Sequence, residues 1–328
     1  MSIEDAAIPV LPYSAIVGQE DLRQALEIGH IARLGVLAMG QRGTAKSTTI
    51  RAFSLMAHRS LPVTLPLGVT DDRVLGGWDV GVLLGGDETQ PDAGAPRREP
   101  WREGLLERAD RSGLLYIDEV NLLDDHIVNL ILDTAATGIL TVERDHADHK
   151  PKHVDFALVG SMNPDEGPLR PQLQDRFALV VEVQDANDRK TRRDILEAVL
   201  AFDMSRNDPD STFLRTHHRS NAELRDRLDV ARDRYPRVEH DERLVTACAA
   251  VAETFTIIGH RGEHVMLQAA RARAALDGSD RADVEHLRRV AKAAIRHRRP
   301  STDAGTLRSW GQAEDDLLNE ALATVDRG

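Results

Sequence analysis

A short apolar segment that ends in two adjacent acids most constrains the fold of this chain. Residues 114–117 are Leu-Leu-Tyr-Ile, and Asp118 and Glu119 follow directly. A continuous apolar run of this length is typical of a central parallel strand covered on both faces. Open α/β sheets bind ligands at the carboxyl ends of such strands. The pattern therefore predicts that Asp118 holds Mg²⁺ and that Glu119 orients or deprotonates a water molecule, although ordinary topology can also place two acids after a buried strand.

A glycine-rich loop earlier in the chain supplies the partner motif. It lies between an apolar strand at 35–39 and a helical pattern at 48–57, and it fits G-x-x-x-x-G-K-[ST] except at Ala45. Backbone N–H groups of such a loop cradle phosphate oxygens, while Lys46 reaches the outer phosphates and the Ser47 hydroxyl binds Mg²⁺. The residues predicted to bind nucleotide here are Gly40, Gln41, Arg42, Gly43, Thr44, Ala45, Lys46, Ser47 and Thr48.

Ala45 stands where the pattern has its second glycine. Because the loop turns into the helix at this position, we expect alanine to fit there with a negative φ angle. An ordinary strand-turn-helix unit would explain the loop alone. Loop and Asp-Glu strand together predict nucleotide hydrolysis.

The composition is typical of an intracellular enzyme. A chain of 328 residues exceeds one compact core of usual size, so a large and a smaller domain are expected. The net charge of −12 argues against a general nucleic-acid binder. The single cysteine, Cys248, excludes an intramolecular disulfide and indicates a reducing compartment. The sequence contains neither a signal-peptide pattern nor an apolar run of membrane-spanning length, which predicts a cytoplasmic protein.

Hydrophobic periodicity divides the chain into two regions. Strands and helices alternate up to about residue 183, and charged amphipathic helices follow. We predict a nucleotide-binding α/β domain at 1–200, a helical lid at 201–300 and a tail at 301–328 that could form a terminal helix. The polar segment 203–211 is expected to be a linker. The Gly- and Pro-rich stretch 76–103 predicts an irregular insertion, and the alternation at 138–155 predicts a β-hairpin.

Five further segments resemble the ATPase I subunits of magnesium chelatases, which are AAA+ proteins. The segments are AIVGQE at 15–20, LPLGVTDDRVLGG at 65–77, IDEVNLLDDH at 117–126, VGSMNPDEGPLRPQLQDRF at 159–177 and GHRGE at 259–263. Motifs of this length in the same order cover about residues 13–300. The resemblance implies an AAA+ P-loop fold, in which a parallel sheet with helices on both faces is followed by a smaller all-α lid.

The same resemblance implies further site residues. Val17 and Gly18 would lie beside adenine, and Asn163 would polarise the attacking water. Arg176 matches the arginine finger that reaches the γ-phosphate bound by a neighbouring subunit, and Arg261 matches the second sensor on the lid. Phosphoryl transfer spreads negative charge over three oxygens, so cations from two mobile bodies would couple hydrolysis to motion. For Arg176, a surface ion pair with Asp175 is the alternative.

The family also implies cofactors and partners. ATP and Mg²⁺ would be bound by a homohexameric ring that works with an integrin-like (VWA) subunit and a large porphyrin-binding subunit. Together they would insert Mg²⁺ into protoporphyrin IX.

Departures from the family pattern leave two alternatives. An alanine at position 45 is a feature shared with the MoxR-type ATPases. Many chelatase subunits carry a long insertion where this chain has only residues 57–61, and the excursion at 76–103 is longer than usual. A MoxR-type remodelling ATPase that activates a partner protein therefore stays open. A DNA-translocating helicase would need a basic hairpin tip, whereas Glu143, Asp145 and Asp148 stand there among basic residues. We expect no nucleic-acid partner.

Histidines at the hairpin suggest a metal site as another hypothesis. His146, His149 and His153 lie there, with His126 not far upstream. Cysteine is missing beside them, and hairpin alternation would scatter them over both faces, so a solvated loop is the preferred interpretation.

Overall fold

The computed structural model describes residues 9–78, 101–141, 151–186, 188–208, 210–300 and 308–325. Its strands in chain order are β1 (Val36–Met39), β2 (Val63–Leu65), β3 (Gly76–Trp78), β4 (Trp101–Glu103), β5 (Leu114–Ile117), β6 (Ile139–Leu140), β7 (Lys152–His153), β8 (Ala157–Met162), β9 (Leu179–Glu182), β10 (Glu239–His240) and β11 (Arg281–Ala282).

The α-helices begin and end as follows: α1 (Glu20–Ala32), α2 (Lys46–His58), α3 (Asp71–Leu75), α4 (Leu105–Ser112), α5 (Asp125–Thr137), α6 (Pro171–Arg176), α7 (Arg189–Ser205), α8 (Thr212–Arg234), α9 (Glu242–Thr254), α10 (Arg261–Leu276), α11 (Val284–Ile295) and α12 (Gln312–Val325). A 3₁₀ turn at Arg296–Arg298 follows α11 directly.

Five parallel strands form the central sheet, in the order β2-β5-β8-β1-β9. Side chains of β1, β5, β8 and β9 alternate between two hydrophobic clusters, because successive residues of a strand point to opposite faces. In β1, Val36 and Ala38 lie in one cluster, while Leu37 and Met39 lie in the other. The sheet is thus buried on both faces, which explains the unbroken apolar runs and confirms the predicted fold class.

Strand register brings the predicted site residues to one edge. Met39 at the end of β1 lies opposite Met162 of β8, and Ile117 at the end of β5 lies opposite Gly160 of the same strand. Since the three strands are parallel neighbours, the segments that follow them open on the same side. These segments are the glycine-rich loop, the Asp-Glu pair and Asn163.

Helices α8 to α12 form most of the region after the sheet. Helix α7 runs through the predicted boundary at residue 200 and ends only at Ser205. Neither glycine nor proline interrupts the run 189–205, so the helix continues into the segment predicted to be a linker. Between the helices only 206–211 is left, which makes the connection shorter than expected.

Both predicted excursions have paired strands at their base. Strands β3 and β4 are antiparallel, with Gly76 opposite Glu103, so the insertion 76–103 starts and ends as a ribbon. Strands β6 and β7 pair Ile139 with His153, as expected for the hairpin 138–155. Residues 79–100 and 142–150 lie outside the described ranges. In the described part of the chain, no helix combines the length and the apolar character needed to cross a membrane.

Candidate nucleotide-binding and catalytic site

The glycine-rich loop closes around its own lysine. Lys46 Nζ donates to the carbonyl oxygens of Gly40 (2.5 Å) and Gln41 (2.7 Å) and to Thr44 Oγ1 (3.2 Å). Partial burial lowers the pKa of Lys46, while nearby carboxylates act in the opposite direction. The ammonium group and the N-terminus of α2 therefore present positive charge at one place, as phosphate binding requires.

Glycine is required at the start of this loop. A Cβ atom on Gly40 would lie 2.3 Å from the carbonyl oxygen of Val183, which follows β9. Gly43 has a φ angle of +84°, in the region that side chains disfavour. The loop can thus pass close to the sheet edge and turn back over it.

Ala45 contradicts the expected backbone conformation. Its φ angle is +61° and its ψ angle +17°, so the residue is left-handed and not in the negative-φ region. Such a conformation costs a non-glycine residue roughly 1–2 kcal/mol. The loop conformation imposes this angle on Ala45 directly before α2 begins, and the local preference of alanine is overridden.

A buried tyrosine connects the two predicted Mg²⁺ ligands. Tyr116 Oη lies 2.9 Å from Ser47 Oγ and 2.7 Å from Asp118 Oδ1. Ser161 Oγ completes the cluster at 2.9 Å from Tyr116 Oη, and it donates to Asp118 Oδ1 at 2.6 Å. Burial raises the pKa of Tyr116, so its hydroxyl stays protonated. The hydrogen-bond network holds the Ser47 hydroxyl and the Asp118 carboxylate close together.

In the sequence, Tyr116 is predicted only as one residue of a buried apolar strand. Side chains two residues apart on a strand share a face, so Tyr116 and Asp118 at positions i and i+2 carried the missed signal.

Replacing Tyr116 by phenylalanine is expected to raise the Mg²⁺ concentration needed for half-maximal ATP hydrolysis by roughly three- to tenfold, about the free energy of one hydrogen bond. The change removes the hydroxyl that orients Ser47 and Asp118. A Mg²⁺ titration of phosphate release measures it. Tyr13→Phe is the matched control, because Tyr13 is equally buried and its hydroxyl bonds instead to α1. An unchanged Mg²⁺ requirement in Tyr116→Phe would contradict this role.

Glu119 lies next to the phosphate loop in a left-handed conformation. Its φ angle is +56°, and its N–H donates to Ser161 Oγ at 3.4 Å. The Glu119 carboxylate is 3.9 Å from the guanidinium of Arg42, which also binds Glu166 Oε1 through Nε at 2.7 Å. Non-glycine residues in this region are strained, and such strain often occurs at functional sites.

Asn163 is buried at the end of β8. Its Oδ1 accepts a hydrogen bond from the N–H of Asp165 at 3.2 Å and so caps the turn that carries Glu166. Since Glu166 binds Arg42 of the loop, this turn and the phosphate loop are in contact. Glu166 lies in the quoted segment 159–177, but its contact with Arg42 was not predicted.

A cleft of about 550 Å³ runs beside the phosphate loop. Val17 and Gly18 line it, as predicted for an adenine site, and Gln19 Nε2 donates to the Thr44 carbonyl at 3.0 Å. Helix α7 supplies another part of the lining, which no motif of the sequence predicts. Its lining residues there are Thr191, Ile195, Ala198 and Val199.

Arg176 and Arg261 lie together at a different place. Both line a second cavity of about 450 Å³, and among the residues described it has no lining residue in common with the first cleft. Arg176 Nη1 binds Asp133 Oδ1 at 2.6 Å, whereas Arg261 Nη1 binds Asp175 Oδ2 at 3.0 Å. Arg176 does form an ion pair, but the alternative named the wrong partner. The guanidinium binds Asp133 of α5 and not Asp175.

The two histidines of this group that the structure describes, His126 and His153, do not form a metal centre there. His126 lies 3.4 Å from Asp71, and His153 is exposed on β7. No group of three or more metal-binding side chains occurs within the described ranges, and His146 and His149 lie outside them.

Family models match both regions of the chain. Residues 35–177 match the AAA domain of the dynein-related subfamily, and residues 246–319 match the AAA lid domain. A solved structure from Cytophaga hutchinsonii covers 96% of this chain and 91% of its own with a TM-score of 0.62. At 16% identity this likeness shows the fold alone.

Curated relatives extend the likeness over nearly the whole sequence. The magnesium-chelatase 38 kDa subunit of Rhodobacter capsulatus is 39% identical over 94% of this chain and 95% of its own length. The magnesium-chelatase subunit ChlI of Trieres chinensis is 36% identical, and the match covers 95% of each chain. With its phosphate loop and strand acids at one sheet edge, the chain belongs to the family of these magnesium-chelatase subunits, which are AAA ATPases.

Proposed function

We propose that this chain is the ATP-hydrolysing motor subunit of a magnesium chelatase, which drives Mg²⁺ insertion into protoporphyrin IX. The observation that carries the ATPase assignment is the network in which Tyr116 joins Ser47 of the phosphate loop to Asp118 of the acidic strand. The chelatase assignment rests on the relatives from Rhodobacter capsulatus and Trieres chinensis. Both are named magnesium-chelatase subunits, and neither is named a MoxR-type protein.

ATP would be held by the loop and the adjoining cleft. The triphosphate would bind the amides of 40–46 and Lys46, and the adenine would lie near Val17 and Gly18. Mg²⁺ bound with ATP would neutralise phosphate charge, with Ser47 and Asp118 as its protein ligands. The hydroxyl and carboxylate are hard oxygen donors that suit this ion, and they already lie within reach of one tyrosine hydroxyl.

Glu119 would act as the general base for the attacking water, and Asn163 would polarise that water. Both residues follow neighbouring parallel strands, which supports a shared function at the sheet edge. The Arg42 guanidinium lies 3.9 Å from the Glu119 carboxylate and places a positive charge beside the proposed base.

Arg176 and Arg261 would serve the site of a neighbouring subunit. Each lines the second cavity of this chain and not the cleft beside its own phosphate loop. A ring of identical subunits, a hexamer in our proposal, would bring this surface against the next nucleotide. Hydrolysis would then depend on assembly, because the charge that stabilises the transition state comes from two chains.

The partners would be an integrin-like (VWA) AAA+ subunit and a large porphyrin-binding subunit. We propose that the motor consists of the α/β domain, the helical lid and the tail predicted at 1–200, 201–300 and 301–328, with the first boundary moved to the end of α7 at Ser205. Nucleotide-driven movement between the first two would transmit work to those partners.

The test is a fluorescence assay for Mg-protoporphyrin with ATP, Mg²⁺, protoporphyrin IX and the two other chelatase subunits of the same organism. We expect product with the wild-type chain and none with Glu119→Gln. ATP hydrolysis by the purified chain is measured in parallel. ATP hydrolysis by the wild-type chain without formation of Mg-protoporphyrin would contradict the chelatase assignment and favour a remodelling ATPase. If the wild-type chain showed neither activity, the assignment as an ATP-hydrolysing motor would be contradicted.

A further inference from the structure

A buried arginine from the helical region holds the segment that carries Arg176. Arg298 Nε donates to Asp175 Oδ1 at 3.0 Å, and its Nη2 donates to the carbonyl oxygens of Asp175 (2.9 Å) and Phe177 (3.0 Å). Its Nη1 donates to the carbonyl of Ala178 at 3.0 Å. One guanidinium therefore binds the residues immediately before and after Arg176.

One of these bonds satisfies a carbonyl group that the helix end leaves without a partner, that of Asp175, and the others bind the carbonyl groups of the two residues that follow Arg176. Helix α6 has six residues and ends at Arg176, so its last carbonyl groups have no partner inside the helix. So short a helix gains little stability from its own hydrogen bonds and depends on tertiary contacts. Arg298 supplies such contacts at the end where the candidate finger projects.

Neighbouring contacts fix the same segment from other sides. Phe177 is fully buried against the sheet, with its ring 3.0 Å from where a Cβ atom of Gly160 would stand. His297 Nε2 lies 3.1 Å from the Phe177 carbonyl. The Arg176 side chain, by contrast, keeps 34% of its surface exposed. The backbone is held firmly and the guanidinium of Arg176 faces outward.

Burying the charge of Arg298 carries a desolvation cost. Its side chain is 1% exposed, and burial lowers its pKa to about 10 even though Asp175 acts in the opposite direction. Among the residues that the structure describes, Asp175 is the carboxylate paired with Arg298, and it is 44% exposed and shared with Arg261. Arg298 Nη1 also donates to the carbonyl of Ala294, so the planar fork with its five donors reaches one side chain and four carbonyl groups together.

We propose that Arg298 is a positioning residue for the arginine finger, which it connects to the helical region. A shift of the 3₁₀ turn Arg296–Arg298 would move Arg176 relative to the neighbouring nucleotide. The inference rests on the proposed action of Arg176 in the next subunit. Arg298 would position Arg176 without contacting the nucleotide itself.

The first variant is Arg298→Lys, which keeps the charge and removes the fork. We expect ATP hydrolysis to fall roughly 10- to 100-fold, because displacements near 1 Å at a catalytic group have effects of that size. Affinity for a fluorescent ADP analogue should stay within about threefold of wild type, since the phosphate loop is untouched. Arg296→Lys is the matched control: Arg296 is also buried in this turn but binds Glu182 of β9. It should retain most of the rate.

Mixed rings separate a displaced finger from general damage. Arg298→Lys subunits should regain activity with Lys46→Ala subunits, which offer intact fingers, and not with Arg176→Ala subunits, which offer none. Recovery with Arg176→Ala alone would locate the defect in the nucleotide site and overturn the proposal. A wild-type rate in Arg298→Lys alone would also overturn it.

Two measurements protect this test from a folding defect. Thermal unfolding of each variant is compared with Arg296→Lys, and Arg298→Gln, which is neutral and still donates two N–H groups, is mixed in the same way. Failure of both variants with both partners would mean structural damage and overturn the positioning role. The mixture of Arg176→Ala with Lys46→Ala reports on the shared site alone, so its failure would contradict the proposed function independently of Arg298.

Discussion

Replacing Glu119 by glutamine is expected to slow ATP hydrolysis by about 10²- to 10⁴-fold, the usual contribution of a general base. Nucleotide affinity should stay within about threefold of wild type, since the change removes a step in the reaction and not a binding contact. The amide has nearly the size of the carboxylate but cannot accept a proton from water. Single-turnover phosphate release and binding of a fluorescent nucleotide measure the two effects separately.

The surroundings of Glu119 suit this role. The Asp-Glu pair follows β5, and the left-handed backbone of Glu119 sets the direction of its side chain differently from an extended continuation of the strand. Its carboxylate, partly exposed, is 3.9 Å from Arg42 of the phosphate loop. A base at this place lies beside the predicted phosphates and remains open to water.

Glu166→Gln is the control, because Glu166 is the other carboxylate bound to Arg42. If the loss in Glu119→Gln came only from releasing Arg42, both variants would be impaired alike. We expect Glu166→Gln to lose less than about tenfold, as for a residue that orients a loop without proton transfer. Equal losses, or a wild-type rate in Glu119→Gln, would refute the assignment of Glu119 as the base.

Patterns of residues adjacent in the chain predicted the strand and the helix that form the edge of the sheet at the phosphate loop. Strand β5 was predictable because four apolar residues precede two acids, and helix α2 because a glycine-rich loop precedes a helical pattern. Each of these signals depends on residues adjacent in the chain. Parallel strands then bring their carboxyl ends together, so Lys46 and Asp118 could be assigned to one region from the sequence, whereas Asn163 was assigned to it by the family resemblance.

Contacts between distant residues were not predictable in the same way. Arg298 reaches Asp175 across 123 positions, and Arg176 reaches Asp133 across 43. No periodicity within a helix or strand encodes such pairs, and for Arg176 the adjacent Asp175 was the obvious but wrong partner. The prediction of a negative φ angle for Ala45 was wrong for a related reason. The closed loop sets this angle, and the conformational preference of alanine does not.

Replacing Arg176 by alanine is expected to reduce ATP hydrolysis by about 10³- to 10⁵-fold, the range found for arginines that stabilise phosphoryl transfer from a second chain. Nucleotide binding should persist, because Arg176 lies in the second cavity and the phosphate loop of the same chain is unchanged. Steady-state phosphate release and nucleotide affinity test both expectations.

Asp133→Ala distinguishes the finger from a structural ion pair. Asp133 binds Arg176 at 2.6 Å and its side chain is 68% exposed. Exposed pairs contribute about 0–1 kcal/mol, so loss of the pair should leave folding and hydrolysis nearly intact. If Asp133→Ala were as inactive as Arg176→Ala, the ion pair and not the finger would explain the defect.

Mixed rings then test whether the site is shared between subunits. In equal mixtures of Arg176→Ala and Lys46→Ala, half of the phosphate loops are intact and half of those face an intact arginine. Up to about a quarter of the sites should therefore be active if heterologous contacts close the ring and the sites act independently. A site built within one chain would gain nothing from mixing, because every subunit would still lack either its lysine or its arginine. Recovery would thus mean that assembly completes the catalytic site, and activity at the level of the two separate variants would mean that Arg176 does not act on the neighbouring nucleotide.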